Sequence, residues 1–283
     1  MWRSALPVGA LIAVASLSIA DVTFHVSPAG DDAGKGTNRQ PFATIQRAVE
    51  VARNAGEPAR ILLRPGTHVL DGPIALGPED SGLTIEGPRG EPAIVTGGRV
   101  VTEWKPWKGE ILQADVSALD LPDLDLRELY CDARLMQWAR VPNFDPDHPR
   151  TGGHLQNESI AEANTKTTFR YREGDLNPDR WAHPERAWIK FHDSLNYETQ
   201  LCPVKAIDSE QRTIEAARGV YVLSKGNPFY LCGIIEELDA PGEWCVDPDA
   251  GTLYFWPPEG GGEVVVPALD SAFVLAGNAE NDE

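Results

Sequence analysis

Positive charge is scarce in this chain. Lys and Arg number 25 against 43 Asp and Glu, a net charge of −18 over 283 residues. A surface that acidic repels polyphosphate and anionic headgroups, which argues against nucleic acid and lipid surfaces as partners. It leaves room for acidic glycans, because a local basic groove can sit on an acidic protein. Cysteine is also sparse. Cys131, Cys202, Cys232 and Cys245 show no Cys-x-x-Cys spacing, so the zinc and redox motifs that use it are absent. In an exported protein these four either form two disulfides or stay as buried thiols. There is no Ser-His-Asp order, no nucleophile elbow and no dinucleotide fingerprint. After residue 20 no run is apolar enough to span a bilayer.

The one long apolar run lies at the start. Arg3 supplies a positive charge, Ala5 to Ile19 carries none, and Ser18 and Ala20 are the small residues that precede a signal cleavage site. Residues 1–20 are therefore expected to be a signal peptide cut after Ala20, making the mature protein secreted or periplasmic.

Residues 60–98 set the pattern for the rest. Short apolar strands, Arg60–Arg64, Thr67–Leu70, Ile74–Leu76, Leu83–Glu86 and Ala93–Thr96, are each closed by Gly, Pro or Asp. Ile61 to Ile85 and Ile74 to Ile94 are separated by roughly the 20–29 residues of solenoid repeats. One such turn cannot bury its apolar face without a neighbour stacked on it. Before it, Val22–Val26 alternates as a strand. The glycine-rich loop from Ser27 to Thr37 has the wrong spacing for a phosphate loop, and Asp31 and Asp32 lack a calcium pattern. Pro41–Asn54 is predicted to be a helix with Phe42, Ile45, Val49 and Ala52 on one face. Laid across the open end of a solenoid, such a helix would cap it.

The segments Phe24–Asp32, Gly36-Thr37, Gln40–Ala48 and Leu63–His68 together resemble the start of secreted right-handed parallel β-helix proteins of the pectate-lyase-like kind. Lyases, hydrolases and non-enzymes share that beginning, so the resemblance implies a fold and leaves the reaction open.

From Gly97 the solenoid rhythm stops. Hairpins are predicted at residues 104–114, at 127–140 with its turn at Asp132-Ala133, and in the 229–255 block with its turn at 248–251. Short strands are predicted at Trp188–His192, Gln200–Asp208 and Thr213–Ala216. Residues 150–168 read as a polar surface loop containing the sequon Asn157-Glu158-Ser159. Asn227–Tyr230, Leu238–Trp244, Gly251–Pro258 and Ala139–Asn143 are similar to the β-rich insertion of glycoside hydrolase family 141, with Val141 where that family has an aromatic residue. The resemblance implies a secreted protein acting on plant or algal polysaccharide. Strands at Glu263–Pro267 and Ala272–Leu275 are expected to return to the solenoid.

The expected architecture is all-β: a signal peptide (1–20), the capped start of a right-handed parallel β-helix (21–98), a β-rich insertion (99–262) and a return to the β-helix (263–283). Two full turns and part of a third lie at the lower limit for a stable stack. The chain is thus expected to be the front of a longer glycoside hydrolase whose catalytic turns follow Glu283. The alternative is a short, non-catalytic glycan-binding or scaffold protein whose insertion caps both ends.

Glycoside cleavage needs paired carboxylates about 5–10 Å apart. Asp71, Asp80 and Glu86 on the solenoid turns form no convincing pair, so no catalytic residue is assigned. Glu236, Glu237, Asp239 and Glu243 read as an acidic, solvated turn. Asp145, Asp147, His148 and His154 are of metal-binding type without a metal-binding spacing, and neither a metal nor a cofactor is expected. Arg140 and Asn143 are the candidate substrate-binding residues, since Arg suits a carboxylated sugar. The expected partner is a polysaccharide or oligosaccharide, with one or two of the many tryptophans serving as sugar platforms.

Overall fold

The computed structural model describes residues 22–55, 58–119, 121, 126–149, 152–195 and 197–277. The expected signal peptide and the final residues, 278–283, lie outside them. The described chain is mostly strand with a single α-helix, so the fold is all-β. It divides into two compact units, one formed by residues up to 96 and from 271 onward, the other by residues 97–270.

The first unit holds β1 (Val22–Val26), α1 (Ile45–Arg53), β2 (Ala59–Leu63), β3 (Gly66–Val69), β4 (Ile74–Leu76), β5 (Thr84–Glu86), β6 (Ala93–Thr96) and a last strand, Phe273–Leu275. The pairings between its strands are parallel and fall into three ladders: β1-β2-β5, β3-β6, and β4 with Phe273–Leu275. The chain visits the ladders in rotation, so it coils with three faces. Parallel strands this short gain little alone, and each depends on the side chains stacked above and below it. On the first ladder Phe24, Ile61 and Ile85 are in register, as are Val26 and Leu63. Val26 and Ile61 are fully buried. On the outward side Arg60 pairs with Glu86 at 2.8 Å.

The Ile61–Ile85 spacing reports true register, but Ile74 and Ile94 lie on different ladders. Ile94 stands beside Thr67, and Ile74 beside Phe273. Residues 97–270 intervene between β4 and its partner, a separation that local spacing cannot reveal.

The glycine-rich loop is a packing device. It folds around Phe42, which is 2% exposed. Gly36 has a φ of +67° and passes so close to the ring that an added Cβ would lie 2.2 Å from it. Asp32 uses both oxygens at the start of α1, accepting from the backbone N–H of Ala43 and Thr44 and from the Thr44 hydroxyl. Thr44 in turn accepts from Arg47 N as N-cap. Ile45, Ala48, Val49 and Ala52 are buried, and α1 packs against β1 and β2.

The second unit contains β7 (Gly98–Val100), β8 (Lys105–Lys108), β9 (Ile111–Asp115), β10 (Tyr130–Cys131), β11 (Arg134–Leu135), β12 (Gln137–Trp138), β13 (Arg140–Val141), β14 (Leu155–Gln156), β15 (Ser159–Ile160), β16 (Thr168–Arg170), β17 (Trp188–His192), β18 (Thr199–Asp208), β19 (Thr213–Ala216), β20 (Pro228–Cys232), β21 (Glu243–Asp247), β22 (Thr252–Phe255) and β23 (Val264–Pro267). They form three sheets, ordered β11-β10-β23-β7, β12-β21-β22-β9-β8 and β13-β20-β17-β18-β19-β16-β15, with β14 also on β20. The largest sheet covers a core of Phe169, Ile189, Phe191, Phe229, Leu231 and Ile214. The other two share a core built on Leu129, Trp244, Leu253, Phe255 and Val266.

Two expectations need correction. Val264–Pro267 does not rejoin the first unit. It pairs antiparallel with β7 and β10, because its alternate residues Val264 and Val266 fill the Trp244 core. Residues 150–168 are not simply a surface loop, since Leu155 and Ile160 pack on the largest core and hold β14 and β15 in place. Asn157, the sequon asparagine, is 1% exposed and donates to Ser224 O at 2.7 Å, so the folded chain hides the acceptor nitrogen. The four cysteines are buried free thiols.

Ile61→Ala is expected to lower stability by about 2–5 kcal/mol through the cavity left between two rungs. Asp32→Ala is expected to cost about 1–2 kcal/mol by unsatisfying the start of α1. Calorimetric or denaturant unfolding of each variant checks both values.

Candidate functional site

The acidic turn is neither solvated nor a catalytic pair. Glu237 and Glu243 are 4% and 2% exposed. Glu237 Oε1 accepts from Trp181 Nε1 at 2.6 Å and from the Arg180 guanidinium at 2.5 Å, pinning the 178–182 segment to the turn before β21. Glu236 accepts from Ala182 N at 2.8 Å in the same clasp. Glu243 Oε2 accepts from Asp239 N and Ala240 N, while Oε1 is buried without a partner. Burial pushes its carboxyl up to about 7, and the backbone donors only partly oppose that. Each carboxylate thus serves a different structural end.

The carboxylates of the first unit are committed likewise. Asp80 takes Arg53 through two 2.8 Å contacts and Gly77 N through a third, and Glu86 takes Arg60. A cavity of about 290 Å³ lies beside the Arg53–Asp80 pair, lined by Ala52, Pro58, Ala59 and Leu83 among others. Its charged groups satisfy one another, so it reads as a clasp between helix and coil.

Arg140 and Asn143 lie on and just after β13. Arg140 is 3% exposed. Its Nε donates to Pro142 O at 2.9 Å, its Nη2 donates to Gly153 O, and its guanidinium carbon lies 3.4 Å from the centroid of the Tyr230 ring. Those bonds tie together the two ends of the segment after β13. Asn143 donates to Asp239 Oδ1 at 2.9 Å. Asp145 and His148 pair at 3.0 Å within one turn, whereas His154 packs on His192 and Tyr230, each 5.5 Å away ring to ring. The possible metal group is therefore split in two.

An open sugar-sized site occurs on the β8–β9–β22 surface. Trp107 is 41% exposed, and its ring leans on Tyr254 at 4.7 Å. Tyr254 stands opposite Gln113 on β9, and Gln113 stands opposite Lys105 on β8. On the same strands a cavity of about 230 Å³ is lined by Glu103, Lys105, Gln113, Ala114, Asp115 and Thr252. Asp115 Oδ1 accepts from Ser117 N and Oγ, which hold its carboxyl below the usual range. An aromatic ring lying against a row of amide, ammonium, hydroxyl and carboxylate groups can take a sugar's C–H face and its hydroxyls together. Trp107 was among the sequence's candidate platforms, but its polar neighbours come from three strands, which no local spacing displays.

No protein-family model matches the chain, and no curated protein matches it. Among solved structures it is similar to one described as "Glycoside hydrolase", with a TM-score of 0.74 and 22% identity, covering 91% of this chain and 48% of that one. The chain therefore spans about half the length of that protein, and at this identity the likeness shows the fold alone. A second structure, "The complex structure of XylC with xylose", aligns at 15% identity over 89% of this chain and 32% of that one. Its TM-score of 0.36 is too low to support any inference. Among the described residues no helix is long and apolar enough to cross a membrane.

Glu243 sets a stability profile. Below about pH 4.5 its carboxyl is protonated in folded and unfolded chain alike. As pH rises toward about 7 the unfolded chain ionises first, so stability falls, and above that range the loss is complete. Wild type is expected to lose about 2–3 kcal/mol relative to Glu243→Gln between pH 4 and pH 8. Urea unfolding of both proteins across that range measures the difference.

Proposed function

We propose that this chain is the capped start and β-rich insertion of an exported carbohydrate-active protein of the right-handed parallel β-helix kind, and that its own part is to bind a plant or algal polysaccharide. The observation that carries the reading is Trp107, exposed and leaning on Tyr254, whose register partner is Gln113 and, one strand further, Lys105. The glycoside hydrolase-like fold supports the carbohydrate class. The resemblance to family 141 favours hydrolysis as the whole protein's reaction. Asp80 and Glu86 in the coil and Glu237 and Glu243 in the insertion are committed to ion pairs or backbone amides, which favours binding over cleavage at those positions.

A non-catalytic scaffold is the second reading. It is favoured by the same committed carboxylates. The outer edges of β5, β6 and the last strand, Phe273–Leu275, with Ile94 48% and Leu275 77% exposed, favour the first reading, because further rungs would cover them.

Trp107→Ala is expected to weaken retention on immobilised polysaccharide at least tenfold, about 1.4 kcal/mol, with an unchanged melting temperature. Affinity electrophoresis across xylan, pectin and algal glucan gels makes the comparison. Equal retention of both proteins in every gel would remove the site from consideration.

A further inference from the structure

The largest sheet of the second unit has one face in the core and one face away from it. Along β17, Ile189 and Phe191 point into the core, so Trp188, Lys190 and His192 occupy the other face. Register places Lys190 between Tyr230 on β20 and Leu201 on β18, and His192 opposite Thr199. His154 sits over this row, 5.5 Å ring to ring from both His192 and Tyr230. Arg140 lies on the far side of Tyr230.

This patch is short of negative charge. Lys190 is half-buried, and no carboxylate pairs with it or hydrogen-bonds to it. Arg140 is buried and gives two of its five N–H donors to carbonyls. The carboxyl that acts on Arg140 is Glu243, which burial itself drives toward the neutral form. Asp193, next to His192, has Oδ1 committed to the N–H groups of Tyr197 and Glu198. In a chain with 43 acids, no ion pair among the described residues neutralises Lys190. A positive charge withdrawn from water without a counter-charge is costly, which marks the place for an anion supplied from outside.

We propose that Lys190, with His154, His192 and Tyr230 around it, is a second binding site, and that it takes the anionic group of an acidic sugar residue. The sugar assignment follows from the neighbours of the half-buried Lys190: Tyr230 is its register partner and His154 packs on both Tyr230 and His192, side-chain groups that suit a sugar, rather than a backbone nest that would wrap a free phosphate. His154 Nδ1 donates to Gly152 O at 2.8 Å, so the neutral ring presents Nε2 as an acceptor for a sugar hydroxyl. His192 shares a 2.9 Å hydrogen bond with Thr199 Oγ1 through Nδ1, which leaves its Nε2 for a ligand. Lys190 then supplies the one full charge, which suits a singly charged group.

Both imidazoles are held below their ordinary range by burial first. For His154 the cations Arg140 and Lys190 add to this against the Gly152 carbonyl, and for His192 His154 and Lys190 add to it against Asp193. Acidification charges them, so an anion is held more tightly at pH 5 than at pH 8.

The experiment is titration calorimetry on the full chain with three tetrasaccharides of one linkage: a uronate, its carboxyl-reduced neutral form and a sulfated form. Inorganic phosphate is the fourth ligand. Either acidic tetramer is expected to bind at least tenfold tighter than the neutral one, and the stronger of the two identifies the anion. Lys190→Gln should abolish that preference, Lys190→Arg should keep it, and His154→Gln should flatten its rise toward pH 5. Melting curves check that each variant is folded. Equal affinity for neutral and acidic tetramers, acidic binding unchanged in Lys190→Gln, or phosphate binding tighter than either acidic tetramer would each overturn the proposal. Loss of Trp107 leaves this preference intact, so the failure of one site is distinguishable from the failure of the other.

Discussion

The structure depends on the inability of a very short strand to stand alone. Most strands here run two to five residues, and few carry more than three inward side chains. Each gains order only from neighbours at fixed register. In the first unit that constraint produces three parallel ladders and the in-register column of Phe24, Ile61 and the half-buried Ile85. In the second it produces three antiparallel-rich sheets; the largest meets its core on one face, whereas the sheet of β21 and β22 packs apolar residues on both faces.

Where strands are too short to fix a segment, buried polar groups do so. Glu237 holds the 178–182 turn through Trp181 and Arg180. Asn227 holds the edge near β17 by donating to His192 O, accepting from Ser224 N and Ser194 Oγ, and bonding Asn157 through its own N–H. Arg140 does the same work after β13. Such groups must be satisfied once buried, so they lock a single loop geometry more tightly than apolar contact would. Gly233 completes this order, since its φ of +78° and the nearby Trp138 ring leave no room for a side chain.

Much of the fold was legible because its signals are local. The Asp132-Ala133 turn, with both residues at positive φ, joins β10 and β11 where the sequence placed it. Ile61 and Ile85 reveal their register through spacing alone. Other features depend on distant partners. Val264–Pro267 alternates like any half-buried strand, and only the open edges of β7 and β10 decide where it goes. The Glu236–Glu243 cluster looked solvated because charge density is visible in a sequence while Trp181 and Arg180, more than fifty residues away, are not. Arg140 was legible as an important cation, but its burial beneath Tyr230 follows from pairing with β20.

On the proposed function, the two sheet faces divide the problem of holding a polysaccharide on an acidic protein. A neutral sugar can dock at Trp107 without regard to charge, since ring stacking and hydrogen bonds suffice. An acidic sugar approaching a chain of net charge −18 is repelled until it reaches a place where the field reverses. Lys190 and Arg140 lie on one patch, and the adjacent carboxyls, Glu243 and Asp193, are turned to backbone amides. The reversal is therefore built by removing acids from one face as much as by adding bases to it. A face arranged this way discriminates by charge at short range while the rest of the surface discourages unselective anion binding, and that contrast gives a sparse set of cations their specificity.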